Sequence, residues 1–429
     1  MLPSQLRCTS PMAYTLNTLL SDFPNMSEAE WRKLLGKGQD ENWQTIEEDV
    51  TVKAAVHQPN EVQPPLPLRP KASPGYQILQ ALPQASTLVY AQQALEQGAE
   101  GLWLLQDHAQ TLAPARPPER LHVWRNELTP SVVDQPYAGC ALPLKALLNG
   151  RKTWREWSEA LPNCNTETLL WVPGHYFHAA GAYASEELAG LLAVHHWLYQ
   201  QGEPQKVGWT LGAGGHFLLT LAKFRAARHL AVRLHEQERS GQSTYPLMNL
   251  AGVNTAYYRS SWDPENNLVR DTLGLSAAVL GGAETLIVKP YHWQPEVWDE
   301  QLRLGRNLPL MFQHEAHLNA VLDPLGGSYV LEDLTQQLME KAWVRFQEME
   351  AAGGAAVYSA SGEWGRTVQH QHETRKAAYT AGKKHLVGVT QYQPQEMNKP
   401  VERHPEDGPF SPRSLALELE QAFWAQQQA

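Results

Sequence analysis

The chain has 429 residues, enough for one large α/β domain or for two or three smaller ones. It is 42% apolar and 19% charged with a formal charge of −10, and no stripe of Lys and Arg runs beside aromatics. That balance gives no electrostatic reason to approach nucleic acid or an anionic membrane. Cys8, Cys140 and Cys164 are widely separated and form no CxxC pair, which reads as free thiols and not as a disulfide framework or metal cluster.

The opening residues carry no charged segment leading into an apolar run, and no apolar stretch of spanning length occurs, so the expected location is cytoplasmic. In chain order, residues 1–75 read as an N-terminal arm and linker. Ser27 precedes Glu28-Ala29-Glu30, which predicts a helix capped by Ser27 with Glu30 at N3, and Trp31 and Leu34 on its buried face. Val52 to Pro74 is proline-rich and predicts an extended linker lying against the body.

From Pro83 a repeated pattern begins. The predicted elements are a helix over Gln84–Gln97, strands over Gly101–Leu105 and Leu121–Trp124, helical fragments over Leu142–Leu148 and Thr153–Ala160, and a strand over Thr168–Val172. A helix over Ala184–Tyr199 leads to a strand over Val207–Leu211, then a helix over Phe217–Glu236 and a strand over Tyr245–Leu250. A helix over Glu265–Val279, a strand over Glu284–Val288 and a helix from Pro295 to about Gly305 follow. Alternation of strands and helices with short connections favours a parallel sheet, either a closed barrel or a doubly wound sheet. Residues 76–355 are assigned to this unit, including a helix over Glu332–Glu350. Residues 356–429 form a C-terminal extension with a short strand over Leu386–Val389 and a last helix over Pro412–Gln427.

Several segments could carry chemistry. Gly212-Ala213-Gly214-Gly215-His216 lies between a strand and a helix, so its backbone N–H groups could hold an anion, although the glycines equally permit a tight turn. Gly174-His175-Tyr176-Phe177-His178 follows a strand, at the strand end where a barrel keeps its reactive groups. His175 and Tyr176 could donate to a substrate carbonyl there, and no third metal ligand is near in sequence. His195-His196 falls inside a helix and reads as structural. His314-Glu315-Ala316-His317 is not H-E-x-x-H, although its spacing would keep both rings on one helical side. Asp263 before Pro264 reads as a helix cap, Arg270 as the partner of a carboxylate, and Arg225 and Arg228 as solvent-facing or interface residues.

H-A-A-G-A-Y-A-S-E-E-L-A at 178–189, L-A-K-F-R-A-A-R-H-L at 221–230, D-P-E-N-N-L-V-R at 263–270, G-G-A-E-T-L at 281–286, D-P-L-G-G-S-Y-V-L-E at 323–332 and V-G-V-T-Q-Y at 387–392 stand in this order. Together they resemble the methylmalonyl-CoA mutase family of adenosylcobalamin-dependent acyl-CoA mutases. F-P-N-M-S-E-A-E-W at 23–31 resembles the opening of the family's small, or beta, subunit. The resemblance implies an α/β TIM (β/α)8 barrel, with acyl-CoA threaded along its axis in active relatives and cobalamin held between the barrel's C-terminal face and a flavodoxin-like corrin-binding domain.

The departures from the pattern are consistent with one another. Active members have Tyr-His where this chain has His175-Tyr176, and E-I-A-K where it has Thr220-Leu221-Ala222-Lys223. The family's T-R-G and R-P-W-T-I-R-Q-Y-A-G segments are not found before residue 140. Asp107-His108 does not complete the corrin domain's D-x-H-x-x-G, and the residues after Tyr392 are too few for that domain. The resemblance therefore implies a non-catalytic small subunit of a heterodimer, inactive alone, with no catalytic, cofactor-binding or metal residues of its own. Its partner would be a large subunit that carries adenosylcobalamin and interconverts methylmalonyl-CoA and succinyl-CoA. The alternative is the catalytic, acyl-CoA-binding half of a split mutase completed by a separate corrin-binding protein, in which His175 and Tyr176 would be catalytic.

Overall fold

The computed structural model of the chain describes residues 27–35, 44–53, 75–82, 88–104, 121–122, 139–141, 144–148, 154–155, 169–202, 206–238, 248–292, 298–401 and 412–428. Eight parallel strands close into a barrel: β3 (Gln77–Leu82), β4 (Gly101–Leu104), β5 (Leu121–His122), β6 (Gly139–Ala141), β7 (Leu169–Pro173), β8 (Val207–Ala213), β9 (Asn249–Asn254) and β10 (Thr285–Val288). They pair in sequence order, and β10 returns to pair with β3 through Thr285 opposite Gln77. The fold is therefore the expected (β/α)8 barrel and not an open doubly wound sheet.

Before the barrel come the helix α1 (Glu28–Leu35) and an antiparallel hairpin, β1 (Gln44–Glu47) and β2 (Val50–Lys53). The helices that follow are α2 (Leu88–Glu96), α3 (Leu144–Leu148), α4 (His175–Ala180), α5 (Ala184–Gln200), α6 (Phe217–Glu238), α7 (Pro264–Leu280) and α8 (Trp298–His314). The chain continues through α9 (Tyr329–Ala351), α10 (Gly354–Ala360), α11 (Glu363–Thr380) and α12 (Leu415–Gln428).

Strand alternation divides the barrel into two apolar sets. Ile78, Leu170, Val172, Trp209, Leu211, Leu250, Leu286 and Val288 face the helices and join the large outer core. Leu79, Ala81, Trp103, Leu169, Trp171, Ala251, Val253 and Ile287 form a separate inner cluster. Trp103 on β4 and Trp171 on β7 belong to strands that are not neighbours, yet their rings meet edge to face with centroids 6.3 Å apart. Two indoles therefore cross the barrel axis. Trp171 also covers the inner surface of β8, where a Cβ on Gly208 would come within 2.7 Å of its ring.

The helix α6 is buried from Leu219 to Ala231, and the cations on it explain how it is held. Arg225 donates to Asp323 at 2.9 and 3.0 Å, to Glu332 and to Thr335, which fixes the turn before α9. Arg228 reaches Met248 O and Gly282 O, both at 3.0 Å, and Glu284. Both arginines are buried within the chain in place of the solvent-facing or interface positions expected, because each has acceptors on neighbouring elements.

Other expectations are corrected locally. Ser27 and Glu30 form the expected capping box, with Ser27 N and Oγ donating to Glu30 at 2.9 and 2.7 Å, but Leu34 is 72% exposed and not on a buried face. The strand placed at Tyr245–Leu250 runs over Asn249–Asn254, and Ala251 and Gly252 lie in its buried middle. The helix expected to stop near Gly305 continues through Pro309 to His314. His317 then adopts φ of +53° outside it, so His314 and His317 do not share a helical face. Leu386–Val389 forms a turn with one bridge between Val387 and Gln391 in place of a strand. Asp263 precedes Pro264 at the start of α7, without a side-chain cap bond. Arg270 donates to Asn267 Oδ1 and to the carbonyl of Val387, not to a carboxylate. The linker beyond Lys53, the helical fragment beyond Arg155 and the Asp107-His108 pair lie outside the described residues.

Candidate functional site

The C-terminal strand ends gather the polar groups, as the fold requires. β7 ends at Pro173, and Gly174 turns the chain directly into α4, which brings His175, Tyr176 and His178 over the barrel mouth. The Nδ1 atom of His175 lies 2.7 Å from Thr210 Oγ1 on β8, and its ring stacks on Tyr176 with centroids 4.5 Å apart. Tyr176 in turn packs on the inner tryptophan cluster. His178 Nδ1 lies 2.8 Å from Thr255 Oγ1 after β9. Gly212 is required beneath it, since a Cβ there would fall 2.4 Å from the imidazole.

Both imidazoles are neutral. Burial, then the nearby Lys289 and His178, drives the His175 pKa well below 6.5, and burial followed by Lys223 and Arg375 does the same to His178. They can donate or accept one hydrogen bond at each nitrogen but do not supply charge.

Beneath the mouth, Glu187 of α5 accepts from Gly212 N at 2.7 Å and from Lys223 Nζ at 2.5 Å. Lys223 also donates to Gly212 O at 2.8 Å. This buried pair closes on both polar groups of one residue and fixes the end of β8. Asn254 does the equivalent for β9 and β10: it accepts from Lys289 N at 2.7 Å and donates to Lys289 O at 2.9 Å and to Asp271 at 2.8 Å. Arg259 completes that cluster through Asp271 at 2.8 Å.

The last segment of the chain lies over the same loops. Arg413 N donates to Ala179 O at 2.7 Å and Leu415 N to Tyr257 O at 2.8 Å, and Glu420 accepts from Ser260 and Ser261. The structure thus brings His175, Tyr176 and His178 together at the mouth, as the sequence placed them. It leaves His195 and His196 on the outer helix α5, ends α8 at His314 and places His317 on the turn beyond it. The Gly212–His216 turn does precede α6, but its first residue is already bonded by Glu187 and Lys223. Thr210, Glu187 and the two axial tryptophans were not singled out by sequence. For the tryptophans the available signal was parity, since Trp103 and Trp171 fall on the inward positions of predicted strands. Among the described residues no group of three or more potential ligands could hold a metal ion, and no helix is long and apolar enough to cross a membrane.

The closed parallel barrel with its polar mouth defines a (β/α)8 protein whose axis is packed by side chains. A family model described as methylmalonyl-CoA mutase matches residues 141–416, and the chain belongs to that family. It is 30% identical over 231 residues to the methylmalonyl-CoA mutase of Rhizobium meliloti, a match covering 52% of this chain and 32% of that one. It is 30% identical over 257 residues to the methylmalonyl-CoA mutase small subunit of Streptomyces virginiae, covering 58% and 41%. Against a probable small subunit of Mycobacterium tuberculosis it is 31% identical over 207 residues, covering 43% and 32%. The match spans well under half the length of each of these relatives.

Proposed function

We propose that this chain is the non-catalytic small subunit of a methylmalonyl-CoA mutase-type heterodimer. In this reading it stabilises a large subunit that binds adenosylcobalamin and interconverts methylmalonyl-CoA and succinyl-CoA in the cytoplasm. The observation that carries the reading is the packed axis. An acyl-CoA threaded through the barrel would need the space that Trp103 and Trp171 fill, each 1% exposed. Indoles bury about 150–250 Å² apiece, so moving both aside would forfeit much of the inner core. Relatives named as small subunits support the same assignment.

At the mouth, His175 is buried and His178 half-buried, and each Nδ1 faces a threonine hydroxyl that holds the ring in place. No reaction step is assigned to this chain, and the cofactor belongs to the partner.

The test is co-expression with a methylmalonyl-CoA mutase large subunit, followed by turnover assays, and separate equilibrium binding of methylmalonyl-CoA to this chain alone. The expected result is a one-to-one complex, no measurable acyl-CoA binding by the isolated chain, and nearly unchanged turnover when His175 and Tyr176 are both replaced by Ala. Loss of turnover in an intact complex would overturn the reading and favour the split-enzyme alternative.

A further inference from the structure

The N-terminal hairpin and the C-terminal helix are far apart in sequence, yet one line of polar side chains, buried at its centre and half-buried at its ends, joins them beside the barrel mouth. The hairpin turns at Glu48, whose φ of +60° directs the chain sharply into Asp49 and β2. Its carboxylate accepts from the Ala184 N–H at the start of α5 at 2.6 Å and from Arg375 Nη2 of α11 at 2.7 Å. Arg375 is 6% exposed and donates through Nη1 to Gly181 O at 2.8 Å and to the Tyr257 hydroxyl at 3.1 Å. That hydroxyl lies 2.8 Å from His372 Nδ1, and His372 Nε2 lies 3.1 Å from Glu418 Oε2 on α12. Lys376 donates to the same carboxylate oxygen at 2.7 Å.

Proton placement along this line follows from its ends. The guanidinium can only donate, so the Tyr257 oxygen accepts from Arg375 and its O–H points to His372. The Glu418 carboxylate can only accept, so His372 carries its proton on Nε2 and Nδ1 is left to accept from the phenol. Burial would raise the Glu418 carboxyl, but the hydrogen bonds from His372 and Lys376 bring it down to about 2, so the ion is present at neutral pH. Every group from Glu48 to Glu418 thus has one orientation that satisfies its neighbours. Gly181, with φ of +98°, lies against the middle: a Cβ there would fall 2.8 Å from His372 Cβ and 3.1 Å from the Tyr257 oxygen.

We propose that Glu48, Arg375, Tyr257, His372 and Glu418 act as one clasp that couples the seating of the N-terminal hairpin to the seating of the C-terminal helix. Its elements are ordered by one another. When α12 lifts, His372 loses the acceptor that fixes its tautomer, the Tyr257 hydroxyl loses its direction, and the hold of Arg375 on Glu48 weakens. When the hairpin lifts, Arg375 is left buried without its carboxylate, and the same sequence runs in reverse. The two ends of the chain therefore open together, and a protein surface that engages one end alters the other.

Hydrogen exchange on the full chain tests this, read at residues 44–53 with Ala184 for one end and at 415–428 for the other. Glu418→Gln removes only the charge at the helix end, and it is expected to raise exchange in the hairpin by about fivefold or more, the lower range of measured couplings between sites. Glu48→Gln is expected to raise exchange in α12 reciprocally. Tyr257→Phe keeps both terminal ion pairs and removes the middle bond. In that background Glu418→Gln should leave hairpin exchange unchanged. If Glu48→Gln does not fold, the Glu418 and Tyr257 variants decide the matter. Exchange raised only at the mutated end, or a cross-effect that survives Tyr257→Phe, would overturn the proposal.

Discussion

Replacing Lys223 with Met isolates the buried pair that closes the end of β8. The Lys223 and Glu187 side chains are 3% and 0% exposed, with Nζ 2.5 Å from the carboxylate. Met preserves the length and apolar stem of the side chain but removes the only cation facing Glu187 in this pair. The remaining carboxylate keeps one bond, from Gly212 N at 2.7 Å. An unpartnered buried charge of this kind costs about 3–5 kcal/mol, a large fraction of the roughly 5–15 kcal/mol that holds a domain folded. Adding Glu187→Gln should recover about 2 kcal/mol or more, because a neutral amide can still accept from Gly212 N without the desolvation of an ion. Urea denaturation of the three proteins at several pH values measures this. Burial raises the Glu187 carboxyl above 4.5 even with Lys223 present, so in the single variant the folded chain takes up a proton before the unfolded chain does. The destabilisation should therefore shrink as the pH falls toward 4.5. A loss under about 1 kcal/mol, or one independent of pH, would refute the claim that this carboxylate is a buried ion dependent on Lys223.

Two further outcomes are expected. Gly208→Ala places a Cβ 2.7 Å from the Trp171 ring, and with Trp103 already packed edge to face against that ring the cost should be about 1–3 kcal/mol with a changed near-ultraviolet tryptophan signal; an unchanged melting temperature and spectrum would show that the axis has room to spare. Burial, followed by His235 and His196, lowers His195 from 6.5 to about 3, so the unfolded chain binds its proton first and stability falls as the pH drops below 6.5. His195→Gln should remove about 1.4 kcal/mol per pH unit of that slope between pH 6 and 4, and a stability difference between the two proteins that stays constant over this range would count against it.

Much of the fold was visible in the alternation of elements. The strand at Thr168–Val172, the helix at Ala184–Tyr199 and the strand at Val207–Leu211 stand within two residues of prediction at every end. What was missed has physical causes. In β3 only Ile78 is β-branched and Pro83 follows directly, so the local composition marks a boundary more strongly than a strand. The strand expected to end at Leu250 continues through Ala251 and Gly252, because a barrel strand under a helix needs small residues: a Cβ on Gly252 would press Ala278 of α7 at 2.8 Å. Pro309 sits inside α8 where local propensity favours a stop. At the site, His175 and Tyr176 were legible because they follow a strand. The pairing of Glu187 with Lys223, 36 residues apart, depended on the closure of the barrel and had no local signature.

The α6 helix gives the molecule a fixed measure of length. Lys223, Arg225 and Arg228 point from one buried rod in three directions, to α5 and β8, to the turn before α9, and to the strand ends at β9 and β10. Each residue of a helix turns by about 100°, so inserting or deleting a single residue between Lys223 and Arg228 would swing one cation away from its acceptors while the others stayed in place. The spacing of these three charges is thus a ruler against which neighbouring parts of the barrel are set. The stretch can exchange apolar side chains more readily than it can change its number of residues.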